Sequence, residues 1–161
     1  MFLTYTYKSP VGNLIIKDNG NAITKISFGQ EEKENEYPPS PLIMQAINQL
    51  NEYFDGKRKI FDFPISPQGT DFQKKVWQSL LEIPYGETRS YKEIATKVGN
   101  PKACRAVGMA NNKNPIAIVI PCHRVIGKNG ELTGYAGGMD VKSYLIKLEY
   151  DNIKNNSTFT G

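Results

Sequence analysis

The 161-residue sequence has little of what builds disulfide scaffolds, metal sites or membrane spans. Two cysteines, Cys104 and Cys122, are too few for a disulfide-stabilised secreted domain, which favours a reducing, cytoplasmic setting. With the single histidine, His123, they supply only three soft ligands, so no metal site is predicted. No apolar run approaches the roughly 20 residues of a membrane span, and no secretory signal opens the chain. We therefore expect a globular protein that does not contact a membrane.

Charge is unevenly distributed along the chain. Residues 70–150 carry 12 Lys or Arg and 7 Asp or Glu, a net charge of +5. The remaining residues carry 8 and 9, a net charge of −1. A basic half is typical of proteins that bind a polyanion, although ordinary solubilising charge explains the same excess.

Apolar spacing and turn signals predict an α/β (α+β) chain that begins with a small antiparallel sheet and a helix. Short strands are predicted within residues 2–28, separated by two turns rich in Gly, Asn and Pro. Ser40 is the predicted N-cap of a helix that stops at Gly56. Residues 60–63 are predicted to form one more strand. A Pro- and Gly-rich linker then separates domains at 1–67 and 68–150, and residues 151–161 are predicted as a polar tail.

The second domain is predicted to be mostly helical. Capping boxes beginning at Thr70 and at Ser90 start two helices, with Trp77 as a core anchor in the first. Asn100 and Pro101 are predicted to open a further helix, which completes a helix-turn-helix.

The second helix of this motif is unusually rich in small residues. Ala103, Ala106 and Gly108 surround one long cation, Arg105. A helical glycine costs roughly 1 kcal/mol relative to alanine, so something is expected to approach this face closely. The sequence leaves open whether that is a nucleic-acid groove or a neighbouring helix.

Cysteine chemistry is indicated where a predicted buried strand, residues 116–120, is followed by Cys122 and His123. The thiolate is the nucleophilic form of cysteine, and a free thiol has a pKa of about 8.5, so a base must accept the proton. The histidine is the next residue, but a buried structural cysteine is the commoner role of a lone cysteine. Adjacency alone does not decide between the two roles.

Residues 120–126, Ile-Pro-Cys-His-Arg-Val-Ile, resemble the active-site signature of the methylated-DNA–protein-cysteine methyltransferases, which repair 6-O-alkylguanine. Further blocks resemble that family in order and spacing: residues 83–91, 99–103, 111–115, 134–138 and 147–149. The resemblance covers residues 70–150 strongly and the N-terminal strands loosely. It implies a stoichiometric transfer of one alkyl group from flipped-out guanine in double-stranded DNA, with 4-O-alkylthymine as a second candidate substrate, and no cofactor.

The resemblance also implies roles for individual residues. Cys122 is the implied nucleophile, His123 takes its proton through a water, and Glu149 orients the imidazolium. Tyr91 is the implied proton donor to the departing guanine. Lys142 matches a position near the pocket, although a surface lysine fits the sequence equally well.

The resemblance also implies that the protein contacts DNA through the minor groove. The protein is expected to be a monomer. Arg105 is the residue implied to fill the place of the flipped base, while Ala103, Ala106 and Gly108 contact the groove. The implied substrate pocket consists of Val125, Tyr135, Ala136, Gly137 and Asn114.

The sequence departs from the family at two of these places and leaves two other functions open. Cys104 stands where many relatives have alanine, and Ala136 stands where many have serine. One alternative is a non-catalytic helix-turn-helix protein that binds DNA or senses alkyl lesions. The other is a cysteine hydrolase that uses Cys122 and His123.

Overall fold

The structure is a computed structural model that describes residues 3–29 and 34–158. The chain divides into two compact units, Met1–Gln68 with Pro115–Ala117, and Gly69–Asn114 with Ile118–Gly161. Phe2, where the first strand was predicted to begin, lies outside the described residues.

The first unit combines an antiparallel sheet with one helix. Strands β1 (Leu3–Ser9), β2 (Gly12–Asp18) and β3 (Ile23–Phe28) lie in that order. Helix α1 (Pro41–Phe54) begins as predicted, because the hydroxyl of Ser40 accepts the Ile43 N–H at 3.1 Å. Gly56, at φ 75°, lies just past its end. Side chains of the sheet and α1 form the core of the unit: Leu14, Ile16, Ile23, Ile26, Ile43, Ala46 and Leu50.

The prediction of a strand at residues 60–63 is wrong. No strand is assigned there, and Ile60 is 76% exposed. Pairing with β3 begins later, where the carbonyl of Pro64 accepts the Ile23 N–H at 2.9 Å and Ile65 forms an isolated bridge with Ile23. The apolar side chains of this segment therefore do not alternate across a sheet, although Phe63 is buried.

The second unit is mostly helical, as predicted. It contains helices α2 (Asp71–Leu81), α3 (Tyr91–Lys97), α4 (Cys104–Asn112) and α5 (Met139–Thr158). Two short strands, β4 (Arg89–Ser90) and β5 (Val125–Ile126), pair in parallel. Both predicted capping boxes are present, at the starts of α2 and α3. Trp77 is 2% exposed and donates its Nε1–H to the carbonyl of Ala110 at 2.9 Å, which confirms its predicted role as a core anchor.

Helices α3 and α4 form the helix-turn-helix, but α4 starts later than predicted. Asn100 and Pro101 lie in a separate turn, closed by a 3.0 Å bond from the Ala103 N–H to the Asn100 carbonyl. Ala103 has φ −91° and ψ 27°, so this turn does not run on into the helix. Cys104 is therefore the first residue of α4.

The segment that leads to the cysteine is buried, but it does not form the continuous strand predicted at residues 116–120. Ile116 makes an isolated bridge with Ile26 of β3. Ile118 then adopts φ 73°, a left-handed conformation that is rare for a β-branched residue and turns the chain. After this turn, Cys122–Arg124 forms a short 3-10 helix that carries the cysteine.

Helix α5 continues through Thr158, into the segment predicted as a polar tail; residues 159–161 lie outside the described part of the chain. Contacts of the helix explain this continuation. Asn152 donates to the hydroxyl of Tyr85 at 3.1 Å, and Ile153 lies against Gly86. Within the described ranges, none of the helices has the length and apolar character needed to cross a bilayer.

Candidate active site

Cys122 is held in place by the end of helix α4. The side chain of Asn111 donates to the Cys122 carbonyl at 3.3 Å, and the side chain of Asn114 donates to the Ile120 carbonyl at 2.7 Å. Two amide side chains thus fix the backbone on either side of Pro121. The cysteine itself is only 6% exposed.

The thiol of Cys122 is protonated at neutral pH in the free protein. Burial raises the pKa of Cys122 to about 11, and this effect outweighs the opposing influence of Asn114, Lys142 and Tyr135. The side chains of Asn114 and Tyr135 lie close enough to the thiol to lower its pKa, against the larger effect of burial. A reaction at this sulfur therefore requires a group that takes the proton.

His123 is fully buried and is oriented by Glu149. Its Nε2 lies 2.6 Å from Oε2 of Glu149. An ionised carboxylate only accepts hydrogen bonds, so Nε2 carries a proton. Burial lowers the pKa of His123 despite the carboxylate, which favours a neutral imidazole with a lone pair on Nδ1. Within the described residues Nδ1 has no hydrogen-bond partner, so it makes no direct hydrogen bond to the thiol of Cys122.

Arg124 is a buried partner of Glu149 that the sequence analysis missed. Its Nε lies 2.7 Å from Oε1 of Glu149, its Nη2 lies 3.2 Å from Oε2, and its Nη1 donates to the Ile83 carbonyl at 2.8 Å. Burial alone would raise the pKa of Glu149, but His123 and Arg124 together lower it to about 2. The carboxylate therefore stays ionised while it orients a neutral histidine. The only feature of the sequence that pointed to a role for Arg124 was its position next to His123.

Gly86 completes the surroundings of the carboxylate. Its N–H donates to Oε1 of Glu149 at 3.2 Å. It adopts φ 83°, and an added Cβ would lie 2.1 Å from Cδ1 of Ile153, so a larger residue meets both strain and a clash. The preceding residue, Tyr85, places its ring 5.6 Å from the guanidinium of Arg124.

Lys142 is not a surface lysine, because it is fully buried. Its Nζ donates to the carbonyl of Thr133 at 2.9 Å. Burial lowers the pKa of Lys142, and the nearby Cys122 opposes that shift. The ammonium group thus links α5 to the segment that leads to Tyr135.

A cavity of about 470 Å³ lies beside helix α4. Its lining includes Arg105, Gly108 and Met109 of α4, Tyr91 of α3, and Thr133 with Gly134. A Cβ on Gly108 would meet only ordinary contacts, 3.8 Å from the ring of Tyr91, so internal packing does not require glycine there. Cys122 is not among the residues that line the cavity, but the lining includes Gly134, which directly precedes Tyr135, a neighbour of the thiol.

The predicted site residues fall into a buried cluster, a cavity group and a more peripheral group. Cys122, His123 and Glu149 form the buried cluster, and the half-buried Asn114 and Tyr135 lie beside it. Tyr91, Arg105 and Gly108 line the cavity, and Ala103 and Ala106 lie on the unburied side of α4 or at its start.

The remaining predicted pocket residues lie near the loop before α5. Val125 is buried on β5 and pairs with Arg89 of β4. Ala136 is exposed and Gly137 is half-buried. The described ranges contain no group of three or more His, Cys, Asp or Glu side chains that could hold a metal ion.

Comparison with known proteins identifies the family. The family model for the 6-O-methylguanine DNA methyltransferase, DNA binding domain, matches residues 71–151, and that for its ribonuclease-like domain matches residues 3–67. The chain belongs to the 6-O-methylguanine DNA methyltransferase family. Among relatives of this family, the methylated-DNA–protein-cysteine methyltransferase of Methanosarcina barkeri is 51% identical over 91% of this chain and 96% of its own. The constitutive enzyme of that name from Bacillus subtilis is 48% identical, over 89% and 93%.

Solved structures of this methyltransferase family share the fold. The O6-methylguanine methyltransferase of Mycobacterium tuberculosis has a TM-score of 0.85 and 47% identity, covering 94% of each chain. The Mycobacterium tuberculosis protein OGT in complex with DNA has a TM-score of 0.83 and 48% identity, covering 91% of this chain and 92% of its own. The family resemblance and the fold class predicted from the sequence are thus confirmed.

Proposed function

We propose that this protein repairs DNA by transferring one alkyl group from O6 of guanine to the Sγ of Cys122, and that it acts once. The observation that carries the proposal is the buried pair of His123 and Glu149, in which His123 directly follows the buried Cys122 in the chain. Glu149 orients the imidazole at Nε2, and Nδ1 keeps a lone pair that can accept a proton. Family membership supports the same reaction.

The first step is contact between helix α4 and the minor groove of DNA. Arg105 and Ala106 are exposed, and Gly108 needs no special internal packing, which leaves this side of the helix free to approach a sugar-phosphate surface. The alkylated base leaves the stack, at a cost of a few kcal/mol, and Arg105 occupies its place. The cavity beside Tyr91 has room for a part of the DNA that lies at the minor groove.

In the second step, the thiol of Cys122 loses its proton to Nδ1 of His123. Because no direct hydrogen bond joins these groups in the described structure, the proton passes through an intermediary, for which water is the simplest candidate. Glu149 stabilises the imidazolium that forms, and it is already ionised because both His123 and Arg124 are paired with it.

In the third step, the new S–C bond forms as the C–O6 bond of the guanine breaks. The electron pair of the broken bond moves into the guanine ring, and Tyr91 supplies a proton there. The thiol proton ends on His123, which becomes an imidazolium, and Tyr91 is left as a phenolate, so the net charge of the site is unchanged. A thioether is a poor leaving group, and no second thiol is involved, so Cys122 stays alkylated.

The base lies in a pocket formed by Tyr135, the backbone of Ala136 and Gly137, and the carbonyl of Val125. Asn114 supports the cysteine from the other side through its bond to the Ile120 carbonyl. The reaction needs no cofactor. The proposal includes a protein that acts as a monomer. It also includes a cytoplasmic location, which the two unpaired cysteines among the described residues support.

A comparison of two cysteine variants tests this proposal. Cys122→Ser is expected to bind DNA that contains O6-methylguanine but to accept no methyl group, whereas Cys104→Ala is expected to accept one. Transfer is measured with a radiolabelled methyl group on the DNA, and binding by gel shift. Binding without transfer by the unaltered protein would support a lesion sensor, and repeated turnover on an ester or amide would support a hydrolase.

A further inference from the structure

The hydroxyl of Thr133 is a polar group of the cavity that the proposed reaction does not yet use. Its Oγ1 lies 2.5 Å from the hydroxyl oxygen of Tyr91. Both residues line the cavity beside α4. The side chain of Tyr91 is therefore paired with a group from the loop that leads into the substrate pocket.

A buried lysine fixes the position of Thr133 through the main-chain carbonyl of the threonine. The Nζ of Lys142 donates to the Thr133 carbonyl at 2.9 Å, and Lys142 is fully buried in α5. Residues 127–138 otherwise contain no helix or strand, and Gly134 follows directly. The bond to Lys142 thus holds the threonine of an irregular segment against a residue of α3.

We propose that Thr133 is a positioning residue for the proton-donating Tyr91, an inference that rests on the proposed function. Either hydroxyl can be the donor in the free protein. Once Tyr91 donates its proton to the guanine ring, its oxygen gains negative charge and must accept from Thr133. The Thr133 O–H then stabilises that charge by a charge-assisted hydrogen bond. The O–H bond of Thr133 stays intact, so the proton balance of the transfer is unchanged.

The test compares single-turnover rate constants of methyl transfer, measured at saturating protein. Thr133→Val keeps the shape of the side chain but removes the hydroxyl, and the rate is expected to fall about tenfold, which corresponds to about 1.4 kcal/mol. Thr133→Ser restores the hydroxyl and is expected to remain within about threefold of the unaltered protein. The matched control is Thr96→Val, which removes an exposed hydroxyl of α3 that bonds to the Lys92 carbonyl; we expect a change within about twofold.

Two further measurements separate positioning from packing. In a Tyr91→Phe background, Thr133→Val is expected to cause no further loss, because its effect acts through the phenol. In a Cys122→Ser background, the Kd for lesion-containing DNA is expected to be unchanged by Thr133→Val. Thr133→Ala removes the same hydroxyl and takes the place of Thr133→Val if circular dichroism finds that variant unfolded.

Several outcomes would overturn this inference. One is a Thr133→Val or Thr133→Ala variant that transfers the methyl group as fast as the unaltered protein, and another is a Thr133→Ser variant that is as slow as Thr133→Val. The inference also fails if Thr133→Val lowers the rate by a similar factor in the Tyr91→Phe background, or if the substitution weakens DNA binding without lowering the rate of transfer. Absence of methyl transfer by the unaltered protein is a different result, since it refutes the proposed function itself.

Discussion

Replacing Glu149 with glutamine removes the carboxylate that bonds both His123 and Arg124 in the buried site. Glutamine has nearly the same shape but carries no charge. If its NH₂ group faces the guanidinium, two N–H donors meet; if it faces the histidine, the imidazole must move its proton from Nε2 to Nδ1 in order to accept that bond. In either orientation the substitution leaves a buried arginine without its countercharge.

The structure gives the size of the expected loss. The pKa of Glu149 falls from an ordinary value of 4.5 to about 2. Each pKa unit corresponds to about 1.4 kcal/mol, so the folded state favours the ionised carboxylate by about 3 kcal/mol. Removal of one partner from a buried ion pair typically costs about 3–5 kcal/mol. We expect Glu149→Gln to lower the free energy of unfolding by about 3 kcal/mol at pH 7.

Urea unfolding followed by circular dichroism measures this loss. Glu131→Gln is the matched control, because Glu131 is exposed, and its effect is expected to stay within about 0.5 kcal/mol. A loss below about 1 kcal/mol for Glu149→Gln, or one no larger than that of the control, would refute the idea that Glu149 is a buried, ionised partner of two basic side chains.

Other predictions concern DNA contact, thiol reactivity and acid stability. Arg105→Ala is expected to weaken binding to DNA with O6-methylguanine, measured by gel shift, without changing urea unfolding, because Arg105 is exposed; unchanged binding contradicts its proposed role. Without DNA, iodoacetamide at pH 7 should modify Cys104 faster than Cys122, because burial raises the pKa of Cys122 to about 11. Peptide mass spectrometry measures the two rates of modification, and faster modification of Cys122 would refute this prediction. The free energy of unfolding should fall as pH drops below 6.5, and further between 4.5 and about 2, because the lowered pKa values of His123 and Glu149 let the unfolded chain bind protons more readily. Stability that is constant over this pH range, measured by urea unfolding, argues against both shifts.

Sequence reasoning succeeded where structure depends on neighbours along the chain. The capping boxes at Thr70 and Ser90 were predictable because each joins residues three positions apart. Ser40 with the following proline was predictable for the same reason. The nucleophile and base candidates stand next to each other, and the resemblance to a family supplied Glu149 as their partner.

Sequence reasoning failed where distant segments meet or where a residue adopts a rare conformation. Apolar residues at 116–120 satisfy the pattern of a buried strand, and nothing in that pattern reveals the left-handed conformation of Ile118. Arg124 pairs with a carboxylate 25 positions away, which no local pattern encodes. The polar segment after residue 150 remains helical partly through Asn152 and Ile153, whose contacts lie near Tyr85 and Gly86.

The most direct test of the proposed reaction is a mass measurement. The protein is incubated with an excess of duplex DNA that contains O6-methylguanine, and the intact chain and its tryptic peptides are then weighed. We predict that each molecule gains one methyl group, on the peptide that contains Cys122, and that one unmodified guanine appears for each protein molecule consumed. A methyl group on another residue, or repair of many guanines by one molecule of protein, would contradict the account.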